Sequence, residues 1–141
     1  MAVQTSYQQY IPVGVPGAIV DMIPKTLISR TVEVPAGIAF GVPVYRGTGD
    51  KGVVATGTAA NYIGFTVLDR SVRIGDVFSQ YESARIMTDG QIWVVAPTAV
   101  ADGAAVVLGG VTIPGAFWQT TTTTTNQLAQ VRLNRVSPPA A

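Results

Sequence analysis

The sequence predicts an all-β protein, a compact β-barrel or a jelly-roll-like sandwich, with an extended N-terminal arm. Turn signals built on glycine, proline and Asp-Gly recur about every 8–12 residues, which is the spacing of strands in sandwiches and barrels. Between these turns, apolar and polar residues alternate with the period of two that a half-buried strand shows. No segment sustains the 3.6-residue period of an amphipathic helix. The 141 residues suffice for one domain with its own core.

Residues 1–17 are predicted to form the arm, and residues 18–141 the single β domain. Two prolines and two glycines between residues 12 and 17 prevent a helix and favour extended backbone. The arm also carries aromatic and β-branched side chains, in which disordered tails are usually poor. We therefore interpret it as a docked segment rather than a disordered terminus. Its candidate contact residues are Tyr7, Tyr10, Ile11, Val13 and Val15.

Eight segments combine β-branched residues with flanking turns, and each is predicted to be a strand. They are residues 27–34, 38–45, 53–56, 61–69, 91–96, 104–108, 111–113 and 128–136. Gly41-Val42-Pro43 predicts a bend or an edge position in the second strand. Asp89-Gly90 predicts a turn before the fifth strand. Residues 77–84 allow one short helix.

The composition excludes several classes of function. The chain has no cysteine and no histidine, so disulfides and ordinary zinc, haem or iron–sulfur ligation are excluded. The composition leaves a hard-metal site built from carboxylates open, but none of the eight carboxylates has a calcium-loop spacing, and we expect no metal or cofactor. The net charge is +1 and the basic residues are scattered, so we expect no nucleic-acid partner. No apolar run reaches the ~18 residues of a membrane span, and the start lacks the features of a signal peptide, which predicts synthesis in the cytoplasm without membrane association.

The low charge indicates burial between protein chains. Charged residues make up 12% of the sequence, against about 25% in typical soluble domains. Apolar residues make up 48%. Because interface cores are depleted in charge, we interpret this composition as that of a subunit that hides surface against its neighbours.

Residues 47–52, Gly-Thr-Gly-Asp-Lys-Gly, match the G-x-G-x-x-G pattern of dinucleotide-binding loops. That pattern must open a helix whose N-terminus receives the pyrophosphate, whereas strand-like residues follow here, so no nucleotide site is predicted. With Arg46, the loop also resembles the glycine-rich phosphate motif of trimeric dUTPases, although the accompanying carboxylate and serine motifs are not found. A trimeric all-β hydrolase that uses aspartate and arginine is therefore one alternative function.

The threonine tract and the largest aromatic residues are interpreted as structural features. The six threonines at 120–125 are interpreted as a solvated polar loop between two strands. Trp93 lies in a strongly apolar strand and is predicted to be a core residue. Phe117 and Trp118 follow turn-like residues, and they are candidates either for the core or for an interface.

Several segments of the chain occur in a characteristic order after the tyrosine-bearing arm. They are residues 16–18, 28–33, 38–47, 62–67, 89–95, 100–106, 114–118 and 129–134. In this order they resemble the small capsid cement, or head decoration, proteins of tailed bacteriophages. The resemblance covers most of the chain.

The resemblance implies a structural protein with no catalytic activity. Such a protein binds the outside of an assembled head, commonly as homotrimers at local three-fold positions, and stabilises the shell. Its partners would be the major capsid protein and other copies of itself, and its location would be the capsid surface of the virion. A carbohydrate-binding β-sandwich on a virion is the other alternative.

Overall fold

The computed structural model describes residues 15–69 and 77–134, which form β-strands joined by turns. The strands are β1 Thr26–Val32, β2 Ile38–Ala39, β3 Pro43–Arg46, β4 Gly52–Val54, β5 Tyr62–Thr66, β6 Val77–Phe78, β7 Ser83–Ala96, β8 Ala105–Leu108, β9 Val111–Trp118 and β10 Gln127–Leu133. A 3-10 turn, Ala59–Asn61, precedes β5. Within the described ranges, no helix approaches the length and hydrophobicity that crossing a bilayer requires.

Five strands close a mixed barrel in the order β1-β4-β3-β5-β7, because β7 pairs with both β5 and β1. The β1–β4 pair is parallel, and the other pairs of the barrel are antiparallel. This arrangement confirms the all-β fold class. The short helix allowed for residues 77–84 is wrong, since that stretch contains β6, a turn and the start of β7.

The second half of β7 leaves the barrel and builds a four-stranded antiparallel sheet in the order β7-β10-β9-β8. The β7–β10 register runs from Gln127↔Ala96 to Leu133↔Gly90. Asp89-Gly90 is therefore not a turn, and that prediction is wrong. Gly90 instead lies inside a continuous strand with φ 131°, where a Cβ would lie 2.9 Å from Lys25 Cβ. Glycine is required there because the strand bends between its two sheets.

The core has two parts, one on each side of the barrel wall. The barrel is filled by Val32, Ile38, Phe40, Val44, Val53, Phe78, Ala84 and Ile86. The largest buried side chains between the barrel and the four-stranded sheet are Trp118, Phe65, Met87, Ile92, Ile113 and Leu133. Neighbouring residues in β7, Ile86 and Met87, are both fully buried because this strand has a core on each face.

Residues that precede β1 pack on β7. Pro16 and Gly17 (φ 82°) form a turn in which the Ala18 N–H donates to the Val15 oxygen at 3.1 Å. The Gly17 N–H donates to the Trp93 oxygen at 2.9 Å, and Ile19 forms a bridge with Ile92. The positive φ explains the glycine at this position of a turn that follows proline.

The threonine tract is more than a solvated loop. Thr122 is buried, and its hydroxyl accepts a hydrogen bond from the Val100 N–H at 3.0 Å. The Thr121 hydroxyl accepts from the Asp102 N–H, and the Thr120 hydroxyl accepts from the Gln130 N–H. The tract therefore ties the loop before β8 to the middle of β10.

The glycine-rich loop at 47–52 folds around a carboxylate. Glu33 Oε1 accepts hydrogen bonds from the Thr48 N–H at 2.9 Å and from the Thr48 hydroxyl at 3.0 Å. Its Oε2 accepts from the Gly49 N–H at 2.9 Å. Side chains at Gly47 or Gly52 would occupy the space of this carboxylate, which explains both glycines. The amides of Gly49 and then Thr48 hold the pKa of Glu33 below its usual range.

Thr66 is a buried polar residue that holds the bend between β2 and β3. Its hydroxyl donates to the Ala39 oxygen at 2.7 Å and accepts from the Val42 N–H at 3.2 Å. The backbone of Thr66 bonds the same bend, since the Gly41 N–H donates to its oxygen. The bend predicted at Gly41-Val42-Pro43 is thus confirmed, and a side chain on β5 fixes it.

We expect Thr66→Val to lower the free energy of unfolding by about 1 kcal/mol, because the Ala39 oxygen and the Val42 N–H lose this part-buried hydrogen-bond partner. Denaturant unfolding of the purified protein measures the change. Thr112→Val, at an exposed position of β9, is the matched control. Equal stabilities of the two variants would contradict the role given to the Thr66 hydroxyl.

We expect Glu33→Gln to destabilise the protein at neutral pH by weakening the loop bonds. The pKa of Glu33 is lower in the folded state, so its contribution is complete above the usual value of 4.5 and is lost as the pH falls through the folded-state pKa. The melting temperatures of wild type and variant should therefore converge as the pH falls from 4.5 through the folded-state pKa of Glu33. Asp50→Asn, which removes a carboxylate from the same loop, is the control. A difference that stays constant across this pH range would exclude the mechanism.

Candidate functional site

The face of the four-stranded sheet that points away from the barrel is the candidate contact surface, and we call it the outer face. Along β7, Ile92, Val94 and Ala96 are buried towards the barrel, so the residues between them point outwards. Trp93 lies opposite Gln130 in this register, and Phe117 lies opposite Arg132. Directly opposite residues share a face of a sheet, so these four side chains belong to the outer face.

Two apolar side chains protrude from the outer face. Phe117 is 41% exposed and Val107 is 48% exposed. Their neighbours on this face, Gln130 and Arg132, supply hydrogen-bonding groups and one positive charge. Apolar side chains beside hydrogen-bonding groups and an arginine are typical of a protein contact surface.

The sequence-predicted contact residues fall into three groups. Phe117 and Val15 are exposed in the described structure. Trp118 is 1% exposed and belongs to the core between the barrel and the sheet. Tyr7, Tyr10, Ile11 and Val13 lie outside the described residues.

Trp93 is not the core residue that the apolar strand predicted. It is half-buried on the outer face, because its neighbours Ile92 and Val94 fill the inward positions of β7. Its backbone accepts and donates the hydrogen bonds that hold residues 17 and 18.

Tyr81 is an exposed aromatic residue that the sequence interpretation missed. It lies in the turn between β6 and β7 with φ 69°, and 77% of it is exposed. The sequence allowed a helix over residues 77–84, so it did not predict the turn between β6 and β7 that carries Tyr81. A non-glycine residue with positive φ carries a backbone cost, and such residues cluster at functional sites. Tyr81 is therefore a second candidate contact position, on the barrel.

Two depressions in the described part of the chain do not support hydrolysis. An apolar groove of about 520 Å³ opens between residues 37–43, the stretch after β4 and the β8–β9 hairpin, and none of its lining residues is charged. A shallower depression contains Glu33, Thr48 and Lys51, but the Glu33 carboxylate already holds the amides of the glycine-rich loop. Those amides are the groups that a phosphate would need in a nucleotide-binding loop.

Comparisons with known proteins agree with this description. Residues 3–134 match the family described as structural cement protein (E217 gp24/Pam3 gp6). Among solved structures, five chains match. One similar chain, from a structure described as the capsid of Myoviridae phage XM1, has a TM-score of 0.65 and 15% sequence identity, over 95% of this chain and 98% of that one. At this identity the similarity shows a shared fold. No curated protein sequence matches the chain.

The family match spans nearly the whole sequence and confirms the resemblance found in the order of its segments. It also confirms that the function is structural rather than enzymatic. The protein belongs to the phage structural cement protein family, and it is a non-enzymatic component located on the virion capsid.

Proposed function

We propose that this cement protein binds the outer surface of the assembled capsid as a homotrimer at local three-fold positions and contacts the major capsid protein there. Residues 1–17 and the outer face would supply the contacts. The observation that carries the proposal is the exposure of Phe117 and Val107 on a sheet whose opposite face is fully packed.

Trimeric binding would make weak individual contacts sufficient. Linking binding sites raises avidity by about 10²–10⁴ over one contact when the geometry allows simultaneous engagement. A protein that binds only the assembled shell stabilises that state by mass action. A small apolar contact per subunit, of the kind that Phe117 offers, is then enough to hold the trimer on the capsid.

The family assignment leaves no role for the hydrolase alternative, and the carbohydrate-binding alternative gains no support from the outer face. Light scattering of the purified protein tests the trimer. Cryo-electron microscopy of particles carrying it tests the three-fold position and the contact with the major capsid protein. A monomer on the particle, or binding on the inner surface, would overturn the proposal.

We expect deletion of residues 2–12 to leave a folded protein that no longer binds capsids. The strands of the described fold begin at Thr26, so the deletion removes none of them. Thermal unfolding checks the fold, and co-sedimentation with capsids lacking the cement protein checks the binding. A folded truncation that still co-sediments would contradict the assignment of Tyr7, Tyr10 and Ile11 to the contact.

We expect Phe117→Ser to weaken capsid binding at least tenfold per trimer, because three apolar contacts are lost together. Phe117→Leu keeps an apolar side chain and is the matched control. Titration of each variant onto capsids gives the apparent affinities. Wild-type affinity in the serine variant would remove the outer face from the proposed contact.

A further inference from the structure

Strand β8 forms an open edge of the four-stranded sheet. It is last in the order β7-β10-β9-β8, and among the described residues it pairs with β9 alone. At the opposite edge, residues 17–20 bond the backbone of β7 and cover it. Ala105 and Val107 of β8 are exposed, as are residues 101–104 before the strand and 109–110 after it. In the described part of the chain, β8 is therefore where a further strand can join this sheet.

The backbone groups of Ala105 and Val107 point towards this open side. The last residue of β8 exchanges both hydrogen bonds with the first residue of β9 across a two-residue turn, whose two glycines have positive φ. Near the other end of β8, the Trp118 N–H donates to the Ala104 oxygen at 2.9 Å. Because alternate residues of a strand bond to opposite sides, the N–H and C=O groups of Ala105 and Val107 remain available to a neighbouring strand.

This edge lacks most of the features that keep edge strands from associating. Residues 103–131 contain no aspartate, glutamate, lysine or arginine, so no charge protects either strand of the β8–β9 hairpin. β8 also contains no proline and no residue with positive φ, and the irregularity in its pairing comes from the extra residues of β9 around Gly115. Its protection is its shortness, four residues, which limits any contact to a small area.

We propose that β8 pairs antiparallel with β8 of a second copy of the chain, across a two-fold axis at Val106. In this register Ala105 lies opposite Val107 of the second copy, and each such pair exchanges two hydrogen bonds. All the available groups are then satisfied, and the two four-stranded sheets continue as one. An axis at Val107 would instead place the Ala105 groups opposite the turn of the second hairpin and leave them unpaired.

A second copy fits this edge because the pairing is self-complementary. Near a two-fold axis each residue lies close to its own twin, so a charged residue there would face a like charge. The uncharged stretch 103–131 avoids that cost. A two-fold contact cannot join the three subunits of a trimer, so this inference goes beyond the proposed homotrimer and links each trimer to the next one on the capsid.

The contact is weak by itself. A few hydrogen bonds and small side chains bury far less than the roughly 800 Å² per partner of a stable complex. We therefore expect the pairing to form where the capsid holds subunits side by side, and in solution only at high concentration. In this respect alone the inference rests on the proposed binding to the capsid.

Disulfide trapping tests the register because the chain has no cysteine. Ala105→Cys and Val107→Cys subunits, carrying tags of different size, are mixed and loaded onto capsids lacking the cement protein. In the proposed register the Cα atoms of the two cysteines lie about 5.5 Å apart, within the roughly 4.4–6.8 Å of disulfides. Oxidation should therefore give a covalent heterodimer.

Thr112→Cys replaces Val107→Cys in the matched control. Thr112 is exposed and lies opposite Val107 on β9, one strand further from the second copy. Its Cα would be about 10 Å from that of residue 105 of the second copy, beyond the reach of a disulfide. The yield of heterodimer should therefore be at least tenfold lower.

The outcomes separate this inference from the proposed function. Capsids that carry both cysteine variants without a heterodimer would overturn the inference and leave capsid binding intact, as would equal yields with the control or a strand of the capsid protein seen on β8 by cryo-electron microscopy. Subunits that do not bind capsids would refute the proposed function. The same crosslink in concentrated solution then decides the inference, which a heterodimer supports and its absence overturns.

A proline at the edge gives an independent readout. Ala105→Pro removes an N–H that bonds nothing in β9, so the melting temperature should change little. Because neighbouring trimers are then less well linked, capsid occupancy should rise less steeply with concentration than in the wild type. Ala105→Ser keeps the N–H and should follow the wild type. Identical titration curves for the two variants would contradict the inference.

Discussion

Strand β7 is the constraint on which the rest of the structure depends. Its first half closes the barrel against β1, and its second half begins the four-stranded sheet against β10. Because one strand belongs to both sheets, the sheet is fixed against the barrel wall and a shared core forms between them. Gly90 permits the bend of β7 between the barrel and the four-stranded sheet. The core between them covers one face of the sheet, so only the outer face remains available for contacts.

The strands were predictable where alternation and turn chemistry agree. Residues 27–34 and 128–136 alternate cleanly, and most of each forms a strand. The turn predicted at Asp89-Gly90 failed because the same dipeptide serves a bend inside a long strand, where Lys25 and Met87 crowd the glycine. Local sequence does not distinguish these uses, since a residue far along the chain creates the crowding.

The candidate contact surface was harder to predict than the fold. Ile113, Ala116 and Trp118 are all buried, so the inward phase of β9 shifts by one residue at Pro114 and Gly115, where Gly115 has φ 71°. Such an irregularity exchanges the two faces of a strand. The sequence identified Phe117 and Trp118 as a pair, but only the register with β10 assigns one to solvent and the other to the core.

Burial within a single subunit accounts for part of the low charge, which composition alone attributed to burial between chains; that attribution stays a prediction. Strands β3, β5 and β7 have buried residues on both faces, so apolar residues occupy successive positions in them. Few positions in these strands are then left for charged residues. Among the described residues, the exposed large apolar side chains are Val15, Met22, Tyr81, Val107 and Phe117. Outside the apolar groove, the described surface is therefore mostly polar, with few charged side chains and few large apolar ones. Such a surface packs against a capsid without burying unpaired charges, and it confines apolar contact to a few positions.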